Sequence, residues 1–343
     1  MEKLLTISIA AYNVENYLSK TLESLIIPNK MASLEVLIIN DGSKDKTAEV
    51  AQKYVEKWPM TFKLVNKQNG GYGSTINKAI EMAKGKYFKQ LDGDDWFKTE
   101  NFIKIMDILE KEDVDFIYTP YIKFYEKQEK EEIINSKILD CEEERNFDEA
   151  IKYCNKHIEM HSIIYRTEVL KKNKIRIDEN CFYTDTEYAI YPLIFIKDIK
   201  IINIPLYVYR IGIEGQSISI ESRKKRYNDH LQVSNNLLKF YNKNIDKFSI
   251  YLLEYVERLM ISHLVATICN FLLIADINKN IFEKINLFKK DVKKTNSELY
   301  NKMIKKSIVL KIMEFDNHYF TYIICHYIRM YKMKKKEYNE RRK

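Results

Sequence analysis

Residues 1–97 alternate between short apolar runs and segments with helical periodicity. The apolar runs lie at 4–11, 34–39, 62–65 and 87–91 and predict four β-strands separated by three helices. The first two runs are almost continuously apolar, which is typical of strands buried on both faces of a parallel sheet. Strand–helix alternation of this kind produces βαβ units with right-handed crossovers. We therefore predict an α/β fold with a mixed, mostly parallel sheet and flanking helices.

A polar or glycine-rich segment follows each predicted strand. Ligands of open α/β sheets bind beyond the carboxyl ends of the strands, so these segments are expected to share one edge. The segments are Tyr12-Asn13, Asp41, Asn69-Gly70-Gly71 and Asp92-Gly93-Asp94. Their convergence predicts a binding site. Asn13 is also expected to cap the first helix, and the helix after the glycine-rich segment is expected at 75–83.

Three acids end the fourth strand, in the sequence Asp92-Gly93-Asp94-Asp95. Like charges repel at this spacing, and a fold tolerates them best when a cation lies between them. Mg²⁺ and Mn²⁺ take oxygen ligands, and Mg²⁺ commonly uses one or two carboxylates together with substrate phosphates. An Asp-x-Asp motif at a strand end therefore suggests a metal–diphosphate site. A solvated acidic turn is the alternative that the motif alone leaves open.

Four segments together resemble the family 2 glycosyltransferases with the GT-A fold. The segments lie at 7–13, 40–47, 69–71 and 91–95, and their order and spacing match over residues 4–97. The resemblance implies a Rossmann-like fold and a nucleotide-sugar donor, usually a UDP-sugar. It also implies a divalent cation, Mn²⁺ or Mg²⁺, and sugar transfer with inversion of the anomeric centre.

The resemblance also implies roles for individual residues. Asp94 would be the principal metal ligand, and Asp92 would lie near both the metal and the ribose. The loop from Ala11 to Glu15 and the carboxylate of Asp41 would hold the base and ribose. The full set of implied donor-binding residues is Ala11, Tyr12, Asn13, Glu15, Asp41, Asn69, Gly70, Gly71, Asn77, Asp92, Gly93, Arg210 and Ser217.

These residue types suit the implied chemistry. A carboxylate such as Asp41 can accept the N–H of a uracil edge, and glycines at 70 and 71 let the backbone approach a nucleotide closely.

Two positions depart from the common pattern. Many relatives have proline where this chain has Ala10, and an Arg-Asn pair where it has Ile76-Asn77. The missing arginine leaves neutralisation of the diphosphate to the metal or to another residue.

An inverting transferase needs a general base that removes the proton of the acceptor hydroxyl. The segment 182–188 resembles the family segment in which an acidic pair, or a single Asp, opens a helix. Where many relatives have Glu-Asp, this chain has Thr184-Asp185, which leaves Asp185 as the candidate base. The alternative is that Asp185 only caps the helix, with Glu187 completing the turn.

The segment 206–219 resembles the part that closes the catalytic domain in these enzymes. Arg210, at the end of a predicted strand, and Ser217, in the following loop, are candidates for contact with the donor phosphates. An equally favoured alternative is that Arg210 pairs with a carboxylate such as Glu214.

His161 precedes a short predicted strand, and a structural role is favoured over ligation for a lone histidine. The other histidines show no metal-ligand spacing, so we expect no zinc site. The five cysteines are odd in number and lack a CxxC pair, which is typical of free thiols in a reducing compartment. A strand begins within four residues of Met1, so we expect no secretory signal and a cytoplasmic location.

Glycine and proline are absent after residue 221, and the pattern becomes helical. We predict a catalytic domain at 1–220, with a nucleotide-sugar half at 1–97 and an acceptor half at 98–220. A C-terminal α-helical subdomain would occupy 221–343.

Residues 331–343 carry seven basic and two acidic side chains next to an aromatic-rich stretch. This tail suits an anionic membrane surface at the inner face of the plasma membrane, and an ordinary packed helix with a solvated tail is an equal alternative. No nucleic-acid-binding motif accompanies the charge.

The sequence therefore predicts an inverting glycosyltransferase that moves a sugar to a hydroxyl of a glycan or lipid-linked acceptor in cell-surface polysaccharide synthesis. Two alternatives remain open at this point. One is a nucleotidyltransferase-like enzyme that uses a metal and a diphosphate on the same sheet edge. The other is a non-catalytic scaffold that binds glycan or membrane.

Overall fold

A computed structural model of the protein describes residues 2–136, 138, 143, 145–213, 222, 225–274 and 279–315. The chain divides into two compact units, and each is described by itself. The first unit comprises Met1–Glu214 and Lys247–Tyr255, and the second comprises Gly215–Asp246 and Val256–Lys343. Ser217, Glu214 and the basic tail at 331–343 lie outside the described residues.

The main sheet of the first unit follows from the apolar runs of the sequence. Within the described residues its seven strands are β1 (Lys3–Ala11), β2 (Leu34–Asn40), β3 (Phe62–Asn66), β4 (Gly85–Asp92), β6 (Phe116–Tyr118), β9 (Ile163–Arg166) and β10 (Ile199–Ile201). They lie in the order β10-β6-β9-β4-β1-β2-β3. All neighbouring pairs are parallel except those of β9, which runs antiparallel to both β4 and β6.

Helices connect these strands and cover the sheet. They are α1 (Leu18–Glu23), α2 (Thr47–Lys57), α3 (Tyr72–Met82), α4 (Thr99–Leu109), α5 (Phe147–Lys152), α6 (Thr167–Lys172) and α7 (Asp185–Ile190). The central strands are buried on both faces, as shown by the consecutive residues Leu5 and Thr6 on β1 and Val36 and Leu37 on β2, all with no exposed surface. The prediction of a mostly parallel α/β fold with flanking helices is confirmed.

The strand register brings the predicted site segments together. Ala10 on β1 pairs with Asp92 on β4, and Ala11 pairs with Asn40 on β2. Beyond these pairs, the Asp41 amide donates to the Ala11 carbonyl over 2.9 Å. The carboxyl ends of β1, β2 and β4 therefore stop at the same level, as parallel strands in this register require.

A second sheet lies beside the acid motif. In the described part of the chain it contains β5 (Trp96–Phe97), β11 (Tyr207–Ile211), β7 (Tyr121–Tyr125) and β8 (Lys130–Ile134), in that order. The charge run at 126–132 includes the turn between β7 and β8, which pair antiparallel. Its side chains remain in water, as its charge predicts.

Two local predictions are wrong. Asn13 does not cap α1: it has a left-handed backbone with φ of 54°, and the helix starts at Leu18. Its side-chain Oδ1 instead accepts a 2.9 Å hydrogen bond from the Lys44 amide. Helix α3 begins at Tyr72, three residues earlier than expected, so Gly73 lies inside the helix.

The second unit is helical wherever it is described. The helices after residue 225 are α8 (Tyr227–Asn244), α9 (Ile250–Ile274), α10 (Lys279–Thr295), α11 (Ser297–Lys306) and α12 (Ile308–Phe315). The prediction of C-terminal helices is confirmed. Leu237, Leu264 and Val292 from three of these helices are fully buried. Among the described residues, no helix is both long enough and apolar enough to cross a lipid bilayer.

Candidate active site

The acid motif at the end of β4 is held by the second sheet. The Asp95 carboxylate is buried and accepts hydrogen bonds from the Tyr207 hydroxyl, over 2.5 Å, and from the Arg210 amide, over 2.8 Å. The Arg210 side chain donates from Nε to the Asp94 carbonyl over 2.9 Å. Asp92 accepts at Oδ1 from the Tyr72 hydroxyl over 2.8 Å. Asp95 thus fixes the turn, while the side chains of Asp92 and Asp94 remain half-exposed.

Mutual repulsion and burial disfavour the ionised forms of these acids. Burial raises the pKa of Asp92 to about 8, and the charge of Asp94 contributes to that rise. The pKa values of Asp94 and Asp95 are also raised, chiefly by burial. These raised pKa values mean that a positive charge nearby would favour the ionised carboxylates. A divalent cation with oxygen ligands would provide that charge.

His161 joins this group, which sequence reasoning missed. A ligand atom from each of Asp92, Asp95 and His161 lies within 4.8 Å of the others. The imidazole is nearly buried and stacks between the rings of Tyr121 and Tyr209, with centroid distances of 4.8 and 4.7 Å. The short motif around His161 contains no metal-ligand spacing, so only the fold could reveal this proximity.

A carboxylate supports His161 from the other side. Oε2 of Glu159 lies 3.4 Å from Nδ1 of His161 and accepts a 2.5 Å hydrogen bond from the Tyr121 hydroxyl. Burial on its own would raise the pKa of Glu159, but the interactions with His161 and Tyr121 outweigh it and lower the pKa to about 2. Glu159 is therefore ionised at neutral pH and places a negative charge beside the imidazole ring.

Asp41 has a different environment from the one expected. Its carboxylate is buried and accepts from the amides of Gly70 and Gly71, each over 2.9 Å, and from Lys67 Nζ over 2.6 Å. Asn69 donates from its side chain to the Asp41 carbonyl over 2.9 Å. Asp41 thus shapes the glycine-rich loop. Lys67, which the sequence analysis did not single out, is the cation beside it.

The loop after β1 is fastened to the loop after β2. The amide of Asn13 donates to the Ser43 hydroxyl over 3.0 Å, and the Glu15 carboxylate accepts from the Lys46 amide over 2.8 Å. Tyr12 keeps about half of its surface exposed. These bonds bring the predicted donor residues from Ala11 to Glu15 next to Asp41 and present the ring of Tyr12 to solvent.

Asn77 is not directed at this edge. Its side-chain amide makes two hydrogen bonds with the backbone of Ile177, accepting over 2.9 Å and donating over 2.7 Å, and it donates to Glu179 over 2.9 Å. These two residues belong to the segment that precedes α7.

Asp185 is the first residue of α7, and Thr184 occupies the N-cap position without a side-chain capping bond. The Asp185 side chain is exposed to solvent, and desolvation by the protein atoms near it still raises its pKa. The nearby His157 and His161 act in the opposite direction. The charge of Asp185 also acts on Asp92. The fold therefore brings Asp185, which is distant in sequence, close to the acid motif.

Arg210 lies on β11 as predicted, and its carboxylate partner is Glu126, at 2.9 Å. The guanidinium also stacks over Trp96 and Tyr17, at 4.7 and 5.1 Å from the ring centroids. These contacts account for the near-complete burial of Arg210. The predicted partner Glu214 and the predicted phosphate ligand Ser217 lie outside the described residues.

Comparison with known proteins agrees with this arrangement. The model of the family described as glycosyl transferase family 2 matches residues 6–173, which include Asp41, the acid motif and His161. Residues 6–173 belong to glycosyl transferase family 2. Asp185 and Arg210 of this family 2 glycosyltransferase lie beyond the matched residues, so their roles depend on the structure alone.

Two curated relatives come from Bacillus subtilis (strain 168). The chain is 29% identical over 255 residues to the minor teichoic acid biosynthesis protein GgaB, an alignment that covers 70% of this chain and 27% of GgaB. It is 27% identical over 266 residues to the putative glycosyltransferase EpsH, which covers 71% of this chain and 73% of EpsH. This family 2 glycosyltransferase therefore spans about a quarter of GgaB and most of EpsH.

A solved structure has the same fold. The crystal structure of residues 1–349 of TarS from S. aureus, in complex with UDP-GlcNAc, superposes with a TM-score of 0.55 at 17% sequence identity. The superposition covers 88% of this chain and 90% of the TarS chain. The GT-A fold predicted for this family 2 glycosyltransferase is confirmed.

Proposed function

We propose that this protein is an inverting glycosyltransferase that transfers a sugar from a UDP-sugar to a hydroxyl group of a glycan or lipid-linked acceptor. The observation that carries the proposal is the position of Asp185. It is a solvent-accessible carboxylate whose charge acts on Asp92, although 92 residues separate the two in the sequence. A metal–diphosphate motif and a base close to it are the two groups that inverting transfer needs.

Asp92 and Asp94 would hold a divalent cation, Mn²⁺ or Mg²⁺. Their raised pKa values fit this role, because a bound cation relieves the repulsion that disfavours the ionised carboxylates. Asp95 and His161 lie close enough to contribute to the same site. When bound, the cation neutralises the negative charge that develops on the diphosphate leaving group.

The residues of the chain then account for the remaining steps. Asp185 accepts the proton of the acceptor hydroxyl, and the acceptor oxygen forms a bond to the anomeric carbon of the sugar. On the opposite face, the bond from this carbon to the diphosphate oxygen breaks, and its electron pair leaves with UDP. Attack opposite the leaving group inverts the anomeric centre. The products are the glycosylated acceptor, UDP and the proton on Asp185.

The donor would lie across the ends of β1 and β2, with its base near Tyr12, Asn13 and Asp41. The Asp41 carboxylate accepts at Oδ1 from the Gly70 amide, from Lys67 and, over 3.4 Å, from the Ser74 hydroxyl, and at Oδ2 from the Gly71 amide alone. Because each carboxylate oxygen has about two acceptor positions, Oδ2 is the atom that would accept a further N–H, such as that of uracil. The fold shared with TarS, whose structure contains UDP-GlcNAc, favours UDP-GlcNAc as the first donor to test.

The acceptor class is inferred from the relatives. GgaB is described as a teichoic acid biosynthesis protein, which favours an acceptor in cell-surface polymer synthesis. Association of the tail at 331–343 with an anionic membrane stays a prediction from the sequence, as does a cytoplasmic location at the inner face of that membrane.

Release of UDP from UDP-GlcNAc, in the presence of Mn²⁺ and candidate acceptors, tests the proposal. We expect UDP release that depends on Mn²⁺ and on Asp185. Binding of UDP-GlcNAc without any transfer or hydrolysis would favour the scaffold alternative. Release of pyrophosphate from a nucleoside triphosphate would instead favour a nucleotidyltransferase.

A further inference from the structure

The segment at 177–181 lies between α6 and α7 in the chain, and it forms hydrogen bonds with both α3 and α7. At its beginning, the Asn77 side chain binds both backbone groups of Ile177: Oδ1 accepts from the amide over 2.9 Å and Nδ2 donates to the carbonyl over 2.7 Å. A side-chain amide used in both directions fixes the position and the orientation of the backbone of one residue. Ile177 itself is buried, so the segment cannot move away from α3 without exposing it.

The glycine-rich loop and the first turn of α3 pack against the same segment. A Cβ atom on Gly73, in α3, would overlap the Asp178 carbonyl oxygen, so this close approach requires glycine. The Asn180 amide donates to the Gly70 carbonyl over 2.5 Å. Gly70 is also one of the loop residues whose amide is held by Asp41. The loop that shapes the donor side therefore contacts the segment directly.

The residue after Ile177 attaches the segment to α7. The Asp178 amide donates to Oε2 of Glu187 over 2.8 Å, and Glu187 is fully buried in the helix that Asp185 begins. Between Asp178 and α7, Asn180 and Tyr183 have positive φ values of 55° and 67°. Such backbone conformations are uncommon outside glycine and persist only where surrounding contacts impose them.

We propose that Asn77 and Glu187 are positioning residues that fix α7, and with it Asp185, relative to the glycine-rich loop. The part of this inference that concerns transfer rests on the proposed function of Asp185. It also reassigns Asn77, which the family resemblance implies to be a donor ligand. A displacement of about 1 Å at a reacting group can reduce a rate about 100-fold. Loss of this attachment is therefore expected to slow transfer by displacing Asp185.

Hydrogen–deuterium exchange of the ligand-free protein tests the attachment without any assay of transfer. Asn77→Ala should increase the exchange rate of amides at 185–190 by about tenfold, because loss of buried hydrogen bonds frees the segment. Glu187→Ala should have the same effect. Glu187→Gln should not, because its side-chain oxygen still accepts from the Asp178 amide. Asn101→Ala is the matched control, since Asn101 donates to the Pro205 carbonyl over 2.8 Å, away from this segment. Unchanged exchange at 185–190 in both alanine variants would overturn the inference.

Kinetics test the consequence for transfer. Asn77→Ala should lower kcat by about 10- to 100-fold while the Kd for UDP with Mn²⁺ changes less than about threefold, and Glu187→Gln should restore kcat relative to Glu187→Ala. A Kd that rises as much as kcat falls would return Asn77 to the donor site and contradict its positioning role. If the wild-type chain transfers no sugar, the proposed function fails, and exchange alone decides whether Asn77 fixes α7.

Discussion

The hydroxyl of Tyr72 donates a hydrogen bond of 2.8 Å to Oδ1 of Asp92. Tyr72 begins α3 directly after the glycine-rich loop, and Asp92 ends β4, so the bond joins two parts of the site that are separate in sequence. It also favours the ionised form of Asp92, in opposition to the burial that raises the pKa of this carboxyl to about 8. Tyr72 is therefore expected to strengthen cation binding by favouring the ionised form of Asp92.

Tyr72→Phe should weaken Mn²⁺ binding about tenfold, because a hydrogen bond to a charged group contributes about 1.5–3 kcal/mol. Titration of the protein with Mn²⁺, followed by electron paramagnetic resonance of the free ion, measures this change. Tyr54→Phe is a suitable control, since its hydroxyl bonds to Ser19 and Glu23 at the surface. Equal Mn²⁺ affinity in the two variants would show that Tyr72 does not support the cation site.

Lys67→Met should lower the free energy of unfolding by about 1–3 kcal/mol, because the buried carboxylate of Asp41 loses its cationic partner. Urea denaturation measures the change. Lys78→Met removes only an exposed pair with Glu81 and should cost less than about 0.5 kcal/mol. Similar losses in both variants would mean that the ion pair of Lys67 with Asp41 contributes no more to the free energy of unfolding than an exposed ion pair does.

Glu187 should make stability depend on pH. Burial raises the pKa of its carboxyl from its ordinary value of 4.5 to about 7 in the folded protein. Between these values the native state binds more protons than the unfolded state, so the free energy of unfolding falls as pH rises. Glu187→Gln cannot titrate and should gain stability relative to the wild type by up to about 1.4 kcal/mol per pH unit across this window.

Urea unfolding of the wild type and Glu187→Gln at about pH 5, 6 and 7 measures this difference. The two proteins should be closest in stability at the lowest of these values. A stability difference that does not vary with pH would show that Glu187 titrates at its ordinary pKa.

Asp185→Asn should leave binding of UDP and Mn²⁺ intact and reduce transfer by about 100-fold or more, because asparagine cannot accept the acceptor proton. Calorimetry measures the binding, and release of UDP from a UDP-sugar measures the transfer. Transfer at nearly the wild-type rate would require another base. Asp198→Asn provides a matched control, since Asp198 accepts from the Asp115 amide on a different part of the sheet.

Most of the fold could be predicted from the sequence, because it depends on local patterns. The apolar run at 4–11 is β1 to within one residue, and the charge run at 126–132 contains the predicted turn. Asn13 shows where such reasoning fails. Asparagine is favoured both as a helix cap and in left-handed turns, and only the hydrogen bond with Lys44 decides between them.

The site could be predicted less completely. The acid motif could be singled out because strand ends are visible in the sequence, and Asp185 because its segment resembles one of the family; their roles stay predictions. The contacts of Asp41 with Lys67, of His161 with the acid motif and of Asn77 with Ile177 were not found. Each joins residues 26 to 100 positions apart and depends on how elements pack, which no local pattern specifies.

Thermal unfolding with a panel of UDP-, GDP- and dTDP-sugars, with and without Mn²⁺, tests the central claim most directly. Ligand that binds the native state at a hundredfold excess over Kd adds about 2.7 kcal/mol of apparent stability, which is readily measured. We predict that one nucleotide class, expected to be UDP, stabilises the wild type only with Mn²⁺, and that Asp94→Ala abolishes this stabilisation while Asp107→Ala, at the surface, retains it. Absence of stabilisation by every nucleotide, or its persistence in Asp94→Ala, would contradict a metal-dependent nucleotide-sugar site at the acid motif.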